Sequence, residues 1–146
     1  MASLQNTHIK RLTPADFAML KTFHVKHFPN YKISDQSLMT YLSQSQYQTY
    51  GMFHRQHLIG YVIFLSCGCE ADIVYIGTAP TYRRKGVASA LISNFIESEK
   101  IAQIFLEVCI KNTGAINLYK TLGFEIVSIR KKYLHNVDSY IMIKKN

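Results

Sequence analysis

Residues 73–95 read IVYIGTAPTYRRKGVASALISNF, and the order of residue types along them decides the fold. Ile73-Val74-Tyr75-Ile76 is a short run of β-branched and aromatic residues, the pattern of a buried strand. Ala79-Pro80-Thr81 breaks it. Three cations follow, Arg83, Arg84 and Lys85, and then Gly86. From Gly86 onward the apolar period becomes helical: Val87, Ala90, Leu91 and Phe95 fall on one face, giving a helix over 86–99. A strand therefore ends, the chain turns, and a helix starts at a glycine amid positive charge.

Such a junction binds anions. The first N–H groups of a helix lack internal partners, and the helix dipole adds partial positive charge there. Gly86 and small Ala88 allow a ligand close to the backbone, and Arg83 to Lys85 attract it from a distance, so a phosphate or pyrophosphate is the ligand class indicated. The competing reading is a plain turn with solvated cations. Two other phosphate loops do not fit: Lys85 is followed by Gly86 rather than Ser or Thr, and only one glycine stands where the dinucleotide fingerprint needs three.

Outward from this junction the chain reads as one domain over residues 1–146, long enough to bury a core. Apolar residues make up 48% and charged residues 18%, an ordinary globular balance. There is no apolar run of transmembrane length and no apolar signal core near Met1, so the expectation is a cytoplasmic protein with no membrane contact. Three cysteines do not suggest a disulfide framework, and Cys67-Gly68-Cys69 reads as a turn with reduced thiols rather than half of a zinc site. The net charge of +8 is concentrated in residues 1–32, at Arg83–Lys85 and from Lys120 to Lys145. That distribution suits an anionic cosubstrate and an acidic partner such as RNA, although no nucleic-acid motif is present.

In chain order, His8–Leu12 reads as a first strand. Thr13-Pro14-Ala15-Asp16 starts a helix with Pro at its first position. Phe17, Leu20, Phe23 and Val25 give an apolar stripe to about His27, and His24 and His27, without a third ligand type, read as solvated or packing residues. Ser34 to about Tyr47 reads as a polar helix with Leu38, Tyr41 and Leu42 inward. Thr49–His54 and Leu58–Ser66 form a hairpin, with 59–65 apolar enough to be central. After the 86–99 helix come a strand at 104–108 carrying Glu107, a helix from Asn112 to Gly123 with Ala115, Leu118, Tyr119 and Leu122 buried, and two closing strands, 125–132 and 138–144, around Leu134-His135-Asn136.

Arg83-Arg84-Lys85-Gly86-Val87-Ala88 matches the R/Q-x-x-G-x-G/A signature of the GNAT N-acetyltransferases. Leu106-Glu107-Val108-Cys109, Asn112, Ala115, Leu118-Tyr119, Gly123-Phe124 and Arg130-Lys131-Lys132-Tyr133 follow the later pattern of that superfamily. They most resemble the RimI-type N-terminal alanine acetyltransferases of ribosomal proteins. The resemblance covers about residues 58–144. It departs at Cys109, where the family has arginine, at Tyr133-Leu134, where it has paired tyrosines, and in a short loop before Asp138.

The resemblance implies an α+β fold: a GNAT-like, mixed, mostly antiparallel seven-stranded sheet with about four helices. Its central parallel pair, 73–78 and 104–108, would splay apart around acetyl-CoA. It also implies direct acetyl transfer to an amine. The acceptor class stays open between a protein N-terminal α-amine, which the RimI likeness favours, and a small-molecule amine, polyamine or antibiotic-like. A non-catalytic CoA- or RNA-binding module is the reading from another class. The cosubstrate would be held by Ile76, Gly77, Thr78, Arg83, Arg84, Lys85, Gly86, Val87, Ala88, Ser89, Asn112 and Tyr119, with no metal. A ribosomal or other acidic partner, and a monomer or homodimer, complete the expectation.

The chemistry gives Glu107 and Tyr119 their roles. An ammonium has no lone pair, so a base must take its proton, and Glu107 on a strand beside an apolar core would have its pKa raised by desolvation. The leaving thiolate needs a proton, which Tyr119 would supply. A backbone N–H near Ile76–Thr78 would hold the thioester oxygen if the strand bulges there. Asn112 would bond the pantetheine amides. The alternatives are a solvent-facing Glu107, a packing Tyr119, and Cys109 as an acyl-carrying nucleophile, which has no histidine beside it in sequence.

Overall fold

The computed structural model describes residues 4–132 and 137–146. Tyr133 and the turn expected at Leu134-His135-Asn136 lie outside them. The elements run β1 Thr7–Arg11, α1 Phe17–His27, α2 Asp35–Ser43, β2 Tyr47–His54, β3 His57–Cys67, β4 Glu70–Thr78, α3 Val87–Glu99, β5 Gln103–Cys109, α4 Thr113–Thr121, β6 Glu125–Arg130 and β7 Ser139–Lys145. The strands form one sheet in the order β1-β2-β3-β4-β5-β7-β6. Its neighbours are antiparallel except for the parallel pair β4–β5. This is the α+β, mostly antiparallel architecture that the sequence leads one to expect.

Helices cover both faces of the centre. The middle of β3 is apolar on both sides, with Tyr61 and Ile63 in a cluster with Leu20, Phe23, Leu38 and Leu42 of α1 and α2. Val62 and Phe64 join Leu91, Phe95, Ile116 and Tyr119 of α3 and α4. Phe64 stacks flat on Phe95 at 3.7 Å between ring centroids. A strand covered on both faces has no reason to alternate with polar residues, which is why 59–65 is continuously apolar.

Local chemistry sets the helix starts. Thr13 N–H donates to the Asp16 carboxylate at 2.8 Å, and residues Pro14–Asp16 form a 3₁₀ turn before α1. Ser34 Oγ accepts from Ser37 N–H, and Asn112 Oδ1 accepts from Ala115 N–H, each satisfying a donor that the helix cannot. Gly68 carries a positive φ in the β3–β4 turn, and the thiols of Cys67 and Cys69 are free.

Several expectations are corrected. The second helix stops at Ser43 instead of about Tyr47, because Tyr47 is taken into β2 opposite Leu65. In α1, Val25 is 59% exposed and His24 is buried in its place. Five residues beyond Leu20 turn a helix about 140° off the buried face, whereas four keep it there. In α4, Leu118 is 40% exposed and Ile116 is buried, so the inward face is rotated by one position toward Ile116. In α3, Ala88 and Ile92 are buried while Ala90 is half-buried. β6 ends at Arg130, two residues early, and β7 runs Ser139–Lys145.

Candidate active site

The sheet opens between β4 and β5. Their parallel ladder pairs only Glu70 with Gln103, Ala71 with Ile104 and Asp72 with Phe105. Beyond Asp72, β4 follows β3 and β5 follows β7, so residues from Ile73 to Thr78 have a free edge toward the gap. A bulge accompanies the divergence. Ile63 pairs with Tyr75 but Phe64 pairs with Ile73, leaving Val74 as the extra residue. The bulge therefore falls two residues before the expected Ile76–Thr78. It places Val74 and Tyr75 together on the α1/α2 face, while Ile73 and Ile76 pack on the α3/α4 face.

Past the bulge, the register fixes which backbone groups face the gap. Ala79 N–H donates to Ile59 C=O at 2.9 Å. Antiparallel pairing alternates, so Gly77 and Tyr75 also turn their N–H and C=O toward β3. Ile76 and Thr78 consequently aim theirs into the gap. Of the expected backbone trio, Ile76 and Thr78 present polar groups there and Gly77 does not. Gly77 has a different reason to be glycine: a Cβ there would sit 2.5 Å from the ring of Phe28. Phe28, just past α1, is thus seated directly on β4. Sequence reading missed this residue; the Pro29 that follows it looks like a mere helix stop.

The α3 N-terminus adjoins the same end of β4. Residues Pro80–Tyr82 form a 3₁₀ turn, and Gly86 caps α3 with φ +84°. Arg84 also has positive φ. Alternation of backbone hand along such a segment turns successive N–H groups to one side, a concave anion seat. Val87 and Ala88 bury their side chains, and Ser89 is half-buried. What Val87, Ala88 and Ser89 offer a ligand is first-turn N–H groups, which have no carbonyl partner within the helix. Of the cations, Arg84 is exposed, Arg83 Nε donates to Thr78 C=O at 3.4 Å, and Lys85 Nζ stands over the Tyr82 ring at 5.2 Å.

Glu107 and Tyr119 lie on opposite faces of the sheet. On β5, Ile104, Leu106 and Val108 belong to the α3/α4 cluster, so Glu107 and Cys109 point to the other face. Glu107 Oε1 lies 3.5 Å from Arg130 and Oε2 lies 3.0 Å from Lys132. Partial burial raises its pKa, but hydrogen bonds from Lys132 and Ser139 and the charges of Arg130 and Lys132 outweigh that, and the carboxyl falls below the ordinary carboxylate range. The expectation of a raised pKa is therefore corrected: the end of β6 and the residues just after it supply cations that the local sequence of β5 does not reveal. Tyr119 is buried against Phe124, edge-on at 5.7 Å. Burial pushes its hydroxyl up to about 12. Asn112 caps α4 through Oδ1, so only its Nδ2 remains to donate to a ligand.

On the Glu107 face, His27 packs on Phe23 with ring centroids 4.6 Å apart. Burial, then the charges of Lys26 and Arg83, hold its pKa below the usual imidazole value. No cluster of three metal-ligating side chains occurs among the described residues. No helix among them is long and apolar enough to cross a membrane.

The profile of the Acetyltransferase (GNAT) family matches residues 16–124. A ribosomal protein bS18-alanine N-acetyltransferase of Escherichia coli is 38% identical over 72 residues, 47% of this chain and 49% of that enzyme. The chain thus spans about half the length of that relative. Among solved structures, the E. coli ribosomal-protein-S18-alanine N-acetyltransferase superposes with a TM-score of 0.84 at 23% identity, covering 95% of this chain and 93% of that one. Arabidopsis thaliana NAA60 in complex with acetyl-CoA gives 0.82 at 20% identity, covering 96% and 99%. These two likenesses carry the fold.

Proposed function

Because the chain belongs to the acetyltransferase (GNAT) family, we propose that it moves an acetyl group from acetyl-CoA to the α-amine of a protein N-terminus by direct transfer. The observation that carries this reading is the β4–β5 gap, with the basic, glycine-capped start of α3 at one end.

The chain's own groups divide the work. Arg84 and the N–H groups of Val87, Ala88 and Ser89 take the pyrophosphate. Ile76 and Thr78 offer backbone groups to the pantetheine arm and to the thioester oxygen, where a fixed N–H stabilises the oxyanion as it forms. Asn112 Nδ2 is a further donor toward the arm. Acetyl-CoA supplies an activated acyl carbon: the amine nitrogen bonds to it, the C–S bond breaks, the amine loses one proton and the thiolate gains one.

Glu107 stands on the acceptor side. Held ionised by Lys132 and Arg130, it is a weak base, and we assign it to ordering the amine or a water beside the amine. A weak base suffices for an α-amine, whose pKa of about 8 leaves an appreciable neutral fraction near pH 7.5. Tyr119 stands on the cofactor side. Its hydroxyl at about 12 is fully protonated at neutral pH but a weaker acid than a thiol at about 8.5. It therefore acts as a hydrogen-bond donor to the departing sulfur, completing proton transfer only as the thiolate forms.

The experiment is a mass-spectrometric screen of the purified protein and acetyl-CoA against peptides with varied N-termini and against lysine side chains and polyamines. Acetylation confined to peptide α-amines supports the reading. Transfer to polyamines alone would replace the acceptor class, and coenzyme A binding without turnover on any acceptor would overturn catalysis.

A further inference from the structure

His24 is 5% exposed, yet it is an imidazole on a helix face that is otherwise apolar. Both its nitrogens are engaged. Nδ1 lies 2.6 Å from the hydroxyl of Tyr61 on β3, and Nε2 meets the backbone carbonyl of Tyr31. A carbonyl only accepts, so Nε2 carries the proton and Nδ1 accepts from Tyr61 O–H. Tyr61 is 1% exposed and burial holds its hydroxyl protonated. The ring is thus a bridge that ties the segment after α1 to the central strand.

Among the described residues, no other side-chain hydrogen bond reaches residues 28–31. Phe28 N–H donates to His24 C=O at 2.8 Å and Tyr31 N–H to Phe28 C=O at 3.1 Å, so the backbone from 28 to 31 hangs from residue 24. The His24 ring also packs against those of Phe28 and Tyr75, at 5.7 and 6.2 Å. Phe28 in turn rests on Gly77, directly beside the Ile76 and Thr78 groups that face the gap. Tyr31 is 62% exposed and follows α1, which packs on the sheet face opposite α3 and α4.

We propose that His24 is a positioning residue, which pins Phe28–Tyr31 against β4 and so shapes the acceptor side of the gap without touching the reacting atoms. The acceptor part rests on the function proposed above; the pin itself does not. Two measurements separate them. In His24→Leu, which keeps bulk and removes both bonds, amide exchange across residues 28–33 should accelerate at least tenfold while α3 exchanges as before. With a peptide beginning with alanine as acceptor, KM for the peptide should rise about tenfold, the order expected for one net hydrogen bond, with KM for acetyl-CoA unchanged. Tyr61→Phe removes one bond only, keeps the ring, and should show a smaller change of the same kind; it also serves if His24→Leu fails to fold. Unchanged exchange at 28–33 overturns the pin. Accelerated exchange with both KM values unchanged, or raised equally, overturns the acceptor role. Accelerated exchange in a protein whose wild type acetylates no peptide upholds the pin and overturns the proposed acceptor.

Discussion

Lys132 Nζ lies 3.0 Å from Oε2 of Glu107. That contact, with Arg130 behind it, makes this carboxylate a stable anion rather than a proton-hungry base. If Glu107 orders the acceptor as proposed, the pH dependence of the reaction should follow the acceptor rather than this carboxyl.

Glu107→Gln should bind acetyl-CoA normally and lose about 10²-fold in turnover at pH 7, the order expected when an acceptor is no longer held in place. The ratio to wild type should stay constant as pH rises through about 8, because both proteins draw on the same neutral α-amine. Wild type should show no loss of turnover from Glu107 between pH 6 and 9, because its folded-state pKa lies below the ordinary carboxylate value. For the same reason its contribution to stability is present above that ordinary value and is lost as pH falls through the lower one. Steady-state rates from pH 6 to 9.5 check this. Full activity of the variant at pH 7 would remove Glu107 from the chemistry and direct attention to His27 on the same face.

Gly86→Glu should abolish acetyl-CoA binding in a folded protein. The position has φ +84°, which a side chain resists, and the new carboxylate would stand at the helix N-terminus where a phosphate is expected. Arg84→Ala should weaken binding by a smaller factor, and the difference from wild type should narrow in high salt. Calorimetry at two ionic strengths distinguishes these outcomes, and unchanged affinity in Gly86→Glu would place the anion site elsewhere.

Tyr119→Phe should lower kcat by about 10²-fold and leave acetyl-CoA affinity near wild type. The ring stays packed on Phe124, so the melting temperature should move little. Single-turnover kinetics would show the loss in the chemical step; normal turnover would reduce Tyr119 to packing and make water the proton source.

Gly77→Ala should destabilise the protein by about 1–3 kcal/mol, the usual cost of overpacking. The added methyl would meet the Phe28 ring at 2.5 Å. For a chain of this size, that is a fall in melting temperature of roughly 2–4 °C per kcal/mol. Gly77→Ala with Phe28→Leu should recover part of the loss. Calorimetric melting of both variants tests it, and an unshifted single mutant would mean that Phe28 is not seated as described.

Much of this protein is determined by short-range order in the chain. The change of apolar period at Gly86 sets a strand, a turn and a helix in sequence, because strand and helix bury different residue spacings. Asp16, Ser34 and Asn112 start helices through their own side chains. The apolar run 59–65 announces a strand covered on both faces. Tertiary structure decided what local order does not encode. The cations that lower the Glu107 pKa come from residues 130 and 132, far along the chain from 107. The gap exists because β4 and β5 each follow a different antiparallel neighbour. Gly77 is glycine because a ring from residue 28 rests on it, and His24 is inward because Tyr61 and Tyr31 offer it partners. Charge and hydrogen bonding act through space, so these features become visible only when distant segments are brought together.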